Sequence, residues 1–219
     1  RWLTERFAPV AAVDIDASAA ARAATRCAAL PHCRVQAYDG VRLPYPDGSM
    51  ATVIALQVIE HLPEPAVVLR EMARVLQPGG MAMITTPNRA YRVADGSKPW
   101  NRFHYREYTA AELAALLAPH FADVTMQGVR AAAAIEQQEK ARCRTAQRLA
   151  ALDPLGLRHW LTPAREQKLA GLLRRLTGRG PARATATPAT VADYWLAATE
   201  PDAALDLLAV CRQPLPERR

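Results

Sequence analysis

The chain has 219 residues, of which 50% are hydrophobic and 22% are charged. This composition excludes general disorder and allows one sizeable domain with a buried core. No window approaches eighteen consecutive apolar residues, and the first residues lack the charged-then-apolar pattern of a signal peptide, so we expect no membrane span and a cytoplasmic location.

The formal net charge of +7 is concentrated in one segment. Between Arg142 and Arg183 there are nine arginines and one lysine against two acids, so the remainder of the chain is nearly neutral. One interpretation is a solvated helical face. The other is a surface for an anionic partner, either a phosphate-bearing substrate, a peripheral membrane surface or nucleic acid. Nucleic acid is unlikely on this pattern, because few aromatic side chains are interleaved for base stacking.

Apolar runs of about six residues alternate with helix-period segments over the first 130 residues. This alternation predicts an α/β fold with a parallel sheet. In "YTAAEL", Thr109 can cap a helix, and Glu112 completes a capping box. The predicted strands are 10–15, 33–38, 51–56, 81–86, 122–129 and 204–212, and the predicted helices are 17–30, 65–77 and 110–119.

From residue 131 the composition changes to alanine- and arginine-rich stretches in which we find no strand pattern. We therefore predict that 131–198 is a helical, basic insertion, a candidate substrate lid, whose last part is a flexible linker. The predicted core then consists of 1–130 and 199–213, followed by a polar tail at 214–219.

Acidic residues follow successive predicted strands. Asp14 closes the first strand, Asp39 closes the second, and "QVIEHL" follows the third. Ligands of open parallel sheets lie outside the carboxyl ends of the strands, so these side chains would line one crevice. A carboxylate there can accept hydrogen bonds from two ribose hydroxyls. Taken alone, Asp14 also suits the ribose of a dinucleotide in a dehydrogenase.

The stretch "YDGVRLPYPDGSMATVIALQVIEHLPEPAVVLREMARVLQPGGMAMITTPN" resembles the middle of class I S-adenosylmethionine-dependent methyltransferases. It resembles the small-molecule group with D-x-x-x-L-P-F, V-I-E-H-L and R-V-L-x-P-G-G motifs. The resemblance covers about residues 8–130 and the final strand. It implies a Rossmann-like, mostly parallel sheet with helices on both faces. It also implies methyl transfer to a small-molecule acceptor, and a dehydrogenase would leave the linked motifs unexplained.

The resemblance also implies a set of cofactor contacts for S-adenosylmethionine. Asp14 would hold the ribose, with Ile15 beside it. Asp39 would contact the adenine amino group with help from the Gly40 backbone, and Gln57 would lie near the methionine portion. The acceptor is expected to be acidic, phosphorylated or linked to a glycan or lipid, because the basic insertion would lie over its pocket.

Two histidines are candidate catalytic residues. His61 follows Glu60 on the cofactor side of the sheet by the resemblance, and is either a general base or part of the hydrogen bonding of its loop. His104 lies in "NRFHYREYTAAEL", which resembles a family segment that meets the substrate. It either activates or orients the acceptor, or is an ordinary surface histidine. The four cysteines have no CxxC pair and no histidine at ligand spacing, so we predict no metal site.

One family feature is not found upstream of "VAAVDIDAS", namely the first strand with its G-x-G-x-G loop. We therefore expect an N-terminally incomplete sheet. Three explanations are open: the sequence is a piece of a longer one, the protein has lost the strand, or another chain supplies it. That strand is central in the family, so its two neighbours would lack a ladder partner. The alternative function is a non-catalytic, methyltransferase-like binding protein that has lost the cofactor loop.

Overall fold

The computed structural model describes most of the chain, and among those residues it forms seven strands and five α-helices. The described residues are 3, 5–7, 9–92, 99, 101, 103–151 and 189–216. The strands are β1 (Val10–Asp14), β2 (Cys33–Ala37), β3 (Met50–Leu56), β4 (Leu76–Pro87), β5 (Phe121–Ala131), β6 (Tyr194–Ala197) and β7 (Asp206–Pro214). The helices are α1 (Ala17–Cys27), α2 (Pro65–Val75), α3 (Arg89–Arg92), α4 (Ala110–Leu117) and α5 (Ala133–Ala151).

The strands form two sheets. β1 and β2 pair in parallel, and the larger sheet has the order β3-β4-β7-β5-β6. β3 and β4 are parallel, whereas β7 is antiparallel to both β4 and β5, and β6 is antiparallel to β5. The predicted α/β class is confirmed, but the sheet is mixed and less parallel than expected. The reason is that β7 lies between β4 and β5 and runs opposite to both of them. Antiparallel neighbours need no crossover helix.

The sheet is divided between β1 and β3, as predicted. In the part of the chain that the structure describes, β1 pairs only with β2, and β3 pairs only with β4 among the named strands. Two side chains of β3 are correspondingly accessible: Ile54 is 39% exposed and Leu56 is 58% exposed. The edges of β1 and β3 therefore carry backbone groups without a ladder partner in the described chain.

The loop after β2 is attached to α2 through one arginine. Arg74 donates to the carbonyls of Tyr45 at 2.9 Å and Leu43 at 3.0 Å, and its Nη1 lies 2.6 Å from the Asp47 carboxylate. The N–H of Gly48 in turn donates to the carbonyl of Arg74 at 2.9 Å. The "LPYPDG" segment is therefore held as a structural unit against α2.

The main core lies between the larger sheet and the helices α2 and α4. Leu69 and Met72 of α2 and Leu113 of α4 are at most 3% exposed, and they belong to one cluster with Ile84 of β4 and Leu207 of β7. The apolar side of α2 therefore belongs to the core. No helix among the described residues combines the length and apolar composition that a membrane span requires.

Two helices begin at side-chain caps. The carboxylate of Asp16 accepts the N–H groups of Ser18 and Ala19 at the start of α1. Thr109 and Glu112 form the predicted capping box of α4, with the Thr109 hydroxyl accepting from the Glu112 N–H and the Glu112 carboxylate accepting from the Thr109 N–H. The sequence pattern placed both helix starts within one residue.

The predicted insertion is only partly described. α5 agrees with the helical expectation for its first part, whereas β6 is a strand where none was expected. A four-residue strand is too short to give a period-two pattern. The basic segment beyond residue 151 and the expected linker fall in 152–188, outside the described residues.

Candidate active site

Asp14 ends β1 with its side chain exposed to solvent. Its Oδ1 accepts the N–H of Asp16 at 2.9 Å, and its carbonyl accepts the N–H of Tyr38 at 3.1 Å. The carboxylate is thus fixed at the carboxyl end of β1, beside the first residue after β2. This is the edge of a parallel pair where ligands of open sheets bind.

The loops after β1 and β2 are in contact through Gly40. Gly40 has φ +79°, and a Cβ built there would lie 3.3 Å from Cγ2 of Ile15, whose side chain is 68% exposed. Oδ1 of Asp39 accepts the N–H groups of Arg42 and Val41, each at 2.8 Å. These backbone donors, Arg42 first, lower the pKa of Asp39 from its usual range. The structure therefore brings the predicted cofactor residues of β1 and β2 together.

Gln57 follows β3 directly. It has φ +54°, and its N–H donates to the carbonyl of Thr85 on β4 at 2.9 Å. Left-handed backbone is uncommon for a residue other than glycine, and such positions cluster at functional sites. Gln57 thus turns the chain at the carboxyl end of β3, ahead of the turn that carries Glu60 and His61.

His61 lies in the 3₁₀ turn Ile59–His61. Its Nδ1 lies 3.0 Å from the carbonyl of Phe103. A carbonyl can only accept, so Nδ1 carries a proton, and in the neutral imidazole Nε2 is the nitrogen with the lone pair. That Nε2 lies 4.0 Å from Oε1 of Glu60.

His104 lies against His61, with ring centroids 4.8 Å apart in an edge-to-face arrangement. Its Nδ1 lies 2.7 Å from Oε1 of Glu107, and its Nε2 lies 2.8 Å from the amide nitrogen of Asn101. The amide oxygen of Asn101 accepts the N–H of Phe103 at 3.0 Å, which turns the amide N–H toward the imidazole. His104 is therefore protonated on Nδ1 and accepts on Nε2. Its side chain is 8% exposed, so the interpretation as an ordinary surface histidine is wrong.

Two buried carboxylates complete this cluster, and the sequence did not predict either as a site residue. Glu60 is 1% exposed and accepts from the Thr86 hydroxyl at 3.0 Å, while Glu107 is 2% exposed. The carbonyl of Glu60 accepts the N–H of Tyr105 at 2.8 Å, which ties the His104 loop to the 3₁₀ turn. Glu60 stands inside the V-I-E-H-L motif, and that motif is the signal that could have identified it. Local sequence carries no such signal for Glu107.

The histidine cluster, made of Glu60, His61, His104 and Glu107, contains two imidazoles. The Nδ1–H group of each imidazole is held by a hydrogen bond, and this fixes the direction of its Nε2 atom. An imidazole held in this way can take a proton from an acceptor, while a carboxylate behind it stabilises the resulting cation. Gln57 and Glu60 both contact strand β4, at Thr85 and Thr86 respectively. The cluster therefore lies at the carboxyl ends of β3 and β4.

Comparison with known proteins agrees with this geometry. Residues 1–84 match the model of a family described as a methyltransferase domain. A probable S-adenosylmethionine-dependent methyltransferase of Mycobacterium tuberculosis is 42% identical over 121 residues, which are 55% of this chain and 43% of that protein. The first 84 residues therefore resemble a methyltransferase domain.

The fold likeness extends further than the sequence match. The [4+2]-cyclase SpnF superposes with a TM-score of 0.55 at 18% identity, covering 96% of this chain and 70% of that one. An N-methyltransferase from Haemonchus contortus, solved with phosphomonomethylethanolamine and S-adenosylhomocysteine, gives a TM-score of 0.53 at 16% identity, covering 96% and 45%. The Rossmann-like methyltransferase fold is therefore confirmed. The chain spans less than half the length of its curated mycobacterial relatives, 43% and 41%.

Proposed function

We propose that this chain belongs to a methyltransferase that binds S-adenosylmethionine and transfers its methyl group to a small-molecule acceptor. The observation that carries the proposal is the convergence of Asp14, Ile15, Asp39 and Gly40 at the carboxyl ends of β1 and β2. Such an arrangement suits a nucleoside, with a carboxylate for the ribose hydroxyls and a polar turn beside the base.

Each cofactor-binding residue has a distinct role in this proposal. The Asp14 carboxylate accepts hydrogen bonds from both ribose hydroxyls, with Ile15 against the base. Asp39 and the Gly40 backbone contact the adenine edge, while Gln57 orients the methionine portion. Asp39 can serve because its orientation is fixed by two backbone donors at 2.8 Å.

The histidine cluster is the proposed acceptor site. Methyl transfer from a sulfonium requires in-line placement and, for a hydroxyl acceptor, removal of one proton. Nε2 of His104 would take that proton once the acceptor displaces the Asn101 amide, and Glu107 would stabilise the imidazolium from the Nδ1 side. His61, in edge contact with His104, would orient the acceptor.

The acceptor class proposed is acidic, phosphorylated, or linked to a glycan or lipid. The excess of arginine between residues 142 and 183 supports it, because clustered positive charge attracts anions. Only the first ten residues of that segment are described, within α5. Neutralising Arg174 and Arg175 should raise the acceptor Michaelis constant if this acceptor class is right.

The second candidate function is a methyltransferase-like binding protein without catalysis. The similar fold of a protein described as a [4+2]-cyclase shows that this architecture hosts other activities.

Calorimetric titration with S-adenosylmethionine separates these candidates. The chain is titrated beside a version extended upstream through its reading frame, and Asp14→Ala is made in whichever form binds. Two charge-assisted hydrogen bonds, each about 1.5–3 kcal/mol, correspond to a roughly hundredfold or greater loss of affinity. Asp123→Ala, which removes a half-exposed acid from β5, should leave the affinity unchanged. An unchanged affinity in Asp14→Ala refutes the ribose assignment, and absence of binding in both lengths favours the binding protein.

A further inference from the structure

Three side chains of the histidine cluster place candidate ligand atoms together. One carboxylate oxygen of Glu60 and one ring nitrogen each of His61 and His104 all lie within 4.8 Å of one another. Donor atoms around a tetrahedral Zn²⁺, at bond lengths of about 2.0–2.2 Å, are roughly 3.4 Å apart. Side-chain movements that shift these atoms by about 1 Å would therefore bring all three within bonding distance of one ion.

We propose that Glu60, His61 and His104 form a binding site for a divalent transition-metal ion. The ion would be one that accepts both nitrogen and oxygen ligands, such as Zn²⁺. Two imidazoles and one carboxylate are a donor set that zinc accepts in catalytic sites. The proposal differs from the sequence prediction of no metal, which considered the cysteines and their spacing and not histidines 43 residues apart.

The hydrogen bonds behind the histidines support the assignment. Nδ1–H of His61 donates to the Phe103 carbonyl, and Nδ1–H of His104 donates to the Glu107 carboxylate. Metal-binding histidines nearly always donate their other ring N–H to a carbonyl or carboxylate, which fixes the tautomer. Both imidazoles thus carry this anchoring contact, which in the neutral tautomer leaves Nε2 as the nitrogen that would bind the ion.

The charge of the cluster is a second, independent observation. The side chains of Glu60 and Glu107 are each 1% exposed. Oε2 of Glu107 is buried and has no hydrogen-bond partner, and no lysine or arginine within the described ranges forms an ion pair with either carboxylate. Burying charge is costly unless an opposite charge compensates it. A divalent cation on Glu60 and His104 would supply that compensation.

Asn101 occupies the position that the cation would take on His104. The amide nitrogen of Asn101 lies 2.8 Å from Nε2 of His104 and donates to it, so a cation that binds Nε2 must displace the amide. Asn101 is therefore a competitor rather than a ligand. This gives the proposal a distinctive expectation: removing the amide should not weaken cation binding.

Three protein ligands leave a coordination position open. An acceptor hydroxyl or a water molecule bound there would lose its proton more readily. This consequence rests on the proposed methyl transfer, and it would replace direct proton removal by His104, because a ring nitrogen bound to the ion cannot also accept a proton. Cation binding itself does not rest on methyl transfer.

The test uses the full chain without a polyhistidine tag, freed of metal by a chelator. Zn²⁺ is titrated by calorimetry and Co²⁺ by absorption, with neither cofactor nor acceptor present, so failure of methyl transfer leaves the result unaffected. We expect one ion per chain. His61→Ala and His104→Ala should each weaken Zn²⁺ binding by at least the 10–100-fold that is typical when an outer-shell contact is lost. Asn101→Ala should bind Zn²⁺ as tightly as the parent or more tightly. The control variant His32→Ala should bind it as the parent does.

The variants are chosen so that misfolding cannot imitate the result. The His61 side chain is 43% exposed, so its removal should leave the fold intact, and circular dichroism of each variant verifies this. Glu60→Gln keeps the shape of the buried side chain while removing its charge, and it should also weaken binding. Absence of Zn²⁺ binding overturns the proposal. So does binding that persists in His61→Ala and His104→Ala, or a Co²⁺ spectrum with thiolate charge-transfer bands that Cys27→Ser or Cys33→Ser abolishes.

Discussion

Arg74 and Glu71 form a bidentate ion pair on one face of α2. Nε of Arg74 lies 2.8 Å from Oε1 of Glu71, and Nη2 lies 2.6 Å from Oε2. The same carboxylate accepts the N–H of Leu43 at 2.8 Å. The pair therefore connects the helix that covers the larger sheet to the loop that leads from the smaller one. The Arg74 hydrogen bonds are the largest contribution that lowers the pKa of Glu71.

This pKa shift makes stability depend on pH. A carboxyl group with a lower pKa in the folded state contributes stability that is fully present above its unfolded value and is lost as the pH falls through the folded one. We expect the free energy of unfolding to decrease as the pH falls below about 4.3, the ordinary value for glutamate. Glu71→Gln should lose about 1.5–3 kcal/mol at pH 7 and show a weaker decrease on acidification, measured by urea denaturation at each pH.

The matched control for that experiment is Glu64→Gln, which removes an exposed carboxylate from the start of the same helix. Its unfolding free energy should follow that of the parent over the whole pH range. If the Glu71→Gln and parent curves run parallel, the ion pair does not carry the predicted acid sensitivity.

Asn88 connects the end of β4 to the turn before β7 through hydrogen bonds. Its amide nitrogen lies within hydrogen-bond distance of three carbonyls, of Pro201 at 3.1 Å, Asp202 at 2.9 Å and Ala204 at 2.7 Å, which share its two N–H groups, and the residue is fully buried. Asn88→Ala would leave these acceptors without their donor, so we expect a loss of about 2–4 kcal/mol in the free energy of unfolding. Asn88→Asp should be at least as damaging at pH 7, because it directs a negative charge at the same carbonyls. Urea denaturation measures both, and a change under 0.5 kcal/mol in both would contradict the fastening role.

Local periodicity was enough to predict most elements of the fold. The pattern of apolar residues predicted β1, β2, β3, β5 and β7 to within a few residues, because each strand is a short, mainly apolar stretch between polar turns. Capping chemistry predicted the start of α4 because both partners of the box lie within four residues of sequence. The division of the sheet followed from the order of strands implied by the family resemblance.

Contacts between distant residues were beyond such reasoning. His61 and His104 are 43 positions apart, and no local pattern indicates that their rings lie 4.8 Å from each other. Burial of Glu107 was equally unpredictable, since it follows two charged or polar residues in a loop that sequence marks as exposed. β4 began five residues earlier than expected because Leu76 pairs with Met50 across a register shift, which is a property of the partner strand.

Gly128 lies where β5 approaches the turn before β7. A Cβ built there would lie 2.5 Å from Cβ of Ala204 and 3.2 Å from Cα of Pro201. Gly128→Ala should therefore lower the free energy of unfolding by about 1–3 kcal/mol through overpacking. Ala204→Gly removes the opposing methyl group, so the double variant should recover part of the loss, as a double-mutant cycle in urea measures. Strictly additive effects would show that the two positions do not collide.

Gly40 provides a test that separates backbone strain from cofactor binding. Its φ of +79° disfavours any side chain, and a Cβ there would lie 3.3 Å from Ile15, at the proposed adenine contact. Gly48 has a comparable φ of +61°, but a Cβ there would lie 3.9 Å from Cα of Gln77, an ordinary distance on the far side of the loop. Alanine at either position should cost about 1–2 kcal/mol of stability by urea denaturation, because both residues are left-handed.

Only Gly40→Ala should also weaken S-adenosylmethionine binding, by about tenfold or more, since a loss of 1.4 kcal/mol corresponds to that factor. The titration is made at a temperature where both variants are folded, in the form of the chain that binds the cofactor. Because the strain at the two glycines is similar, a difference in affinity reports on the contact between the loops after β1 and β2. Equal affinities in the two variants would mean that the adenine lies elsewhere, even if Asp14 holds the ribose.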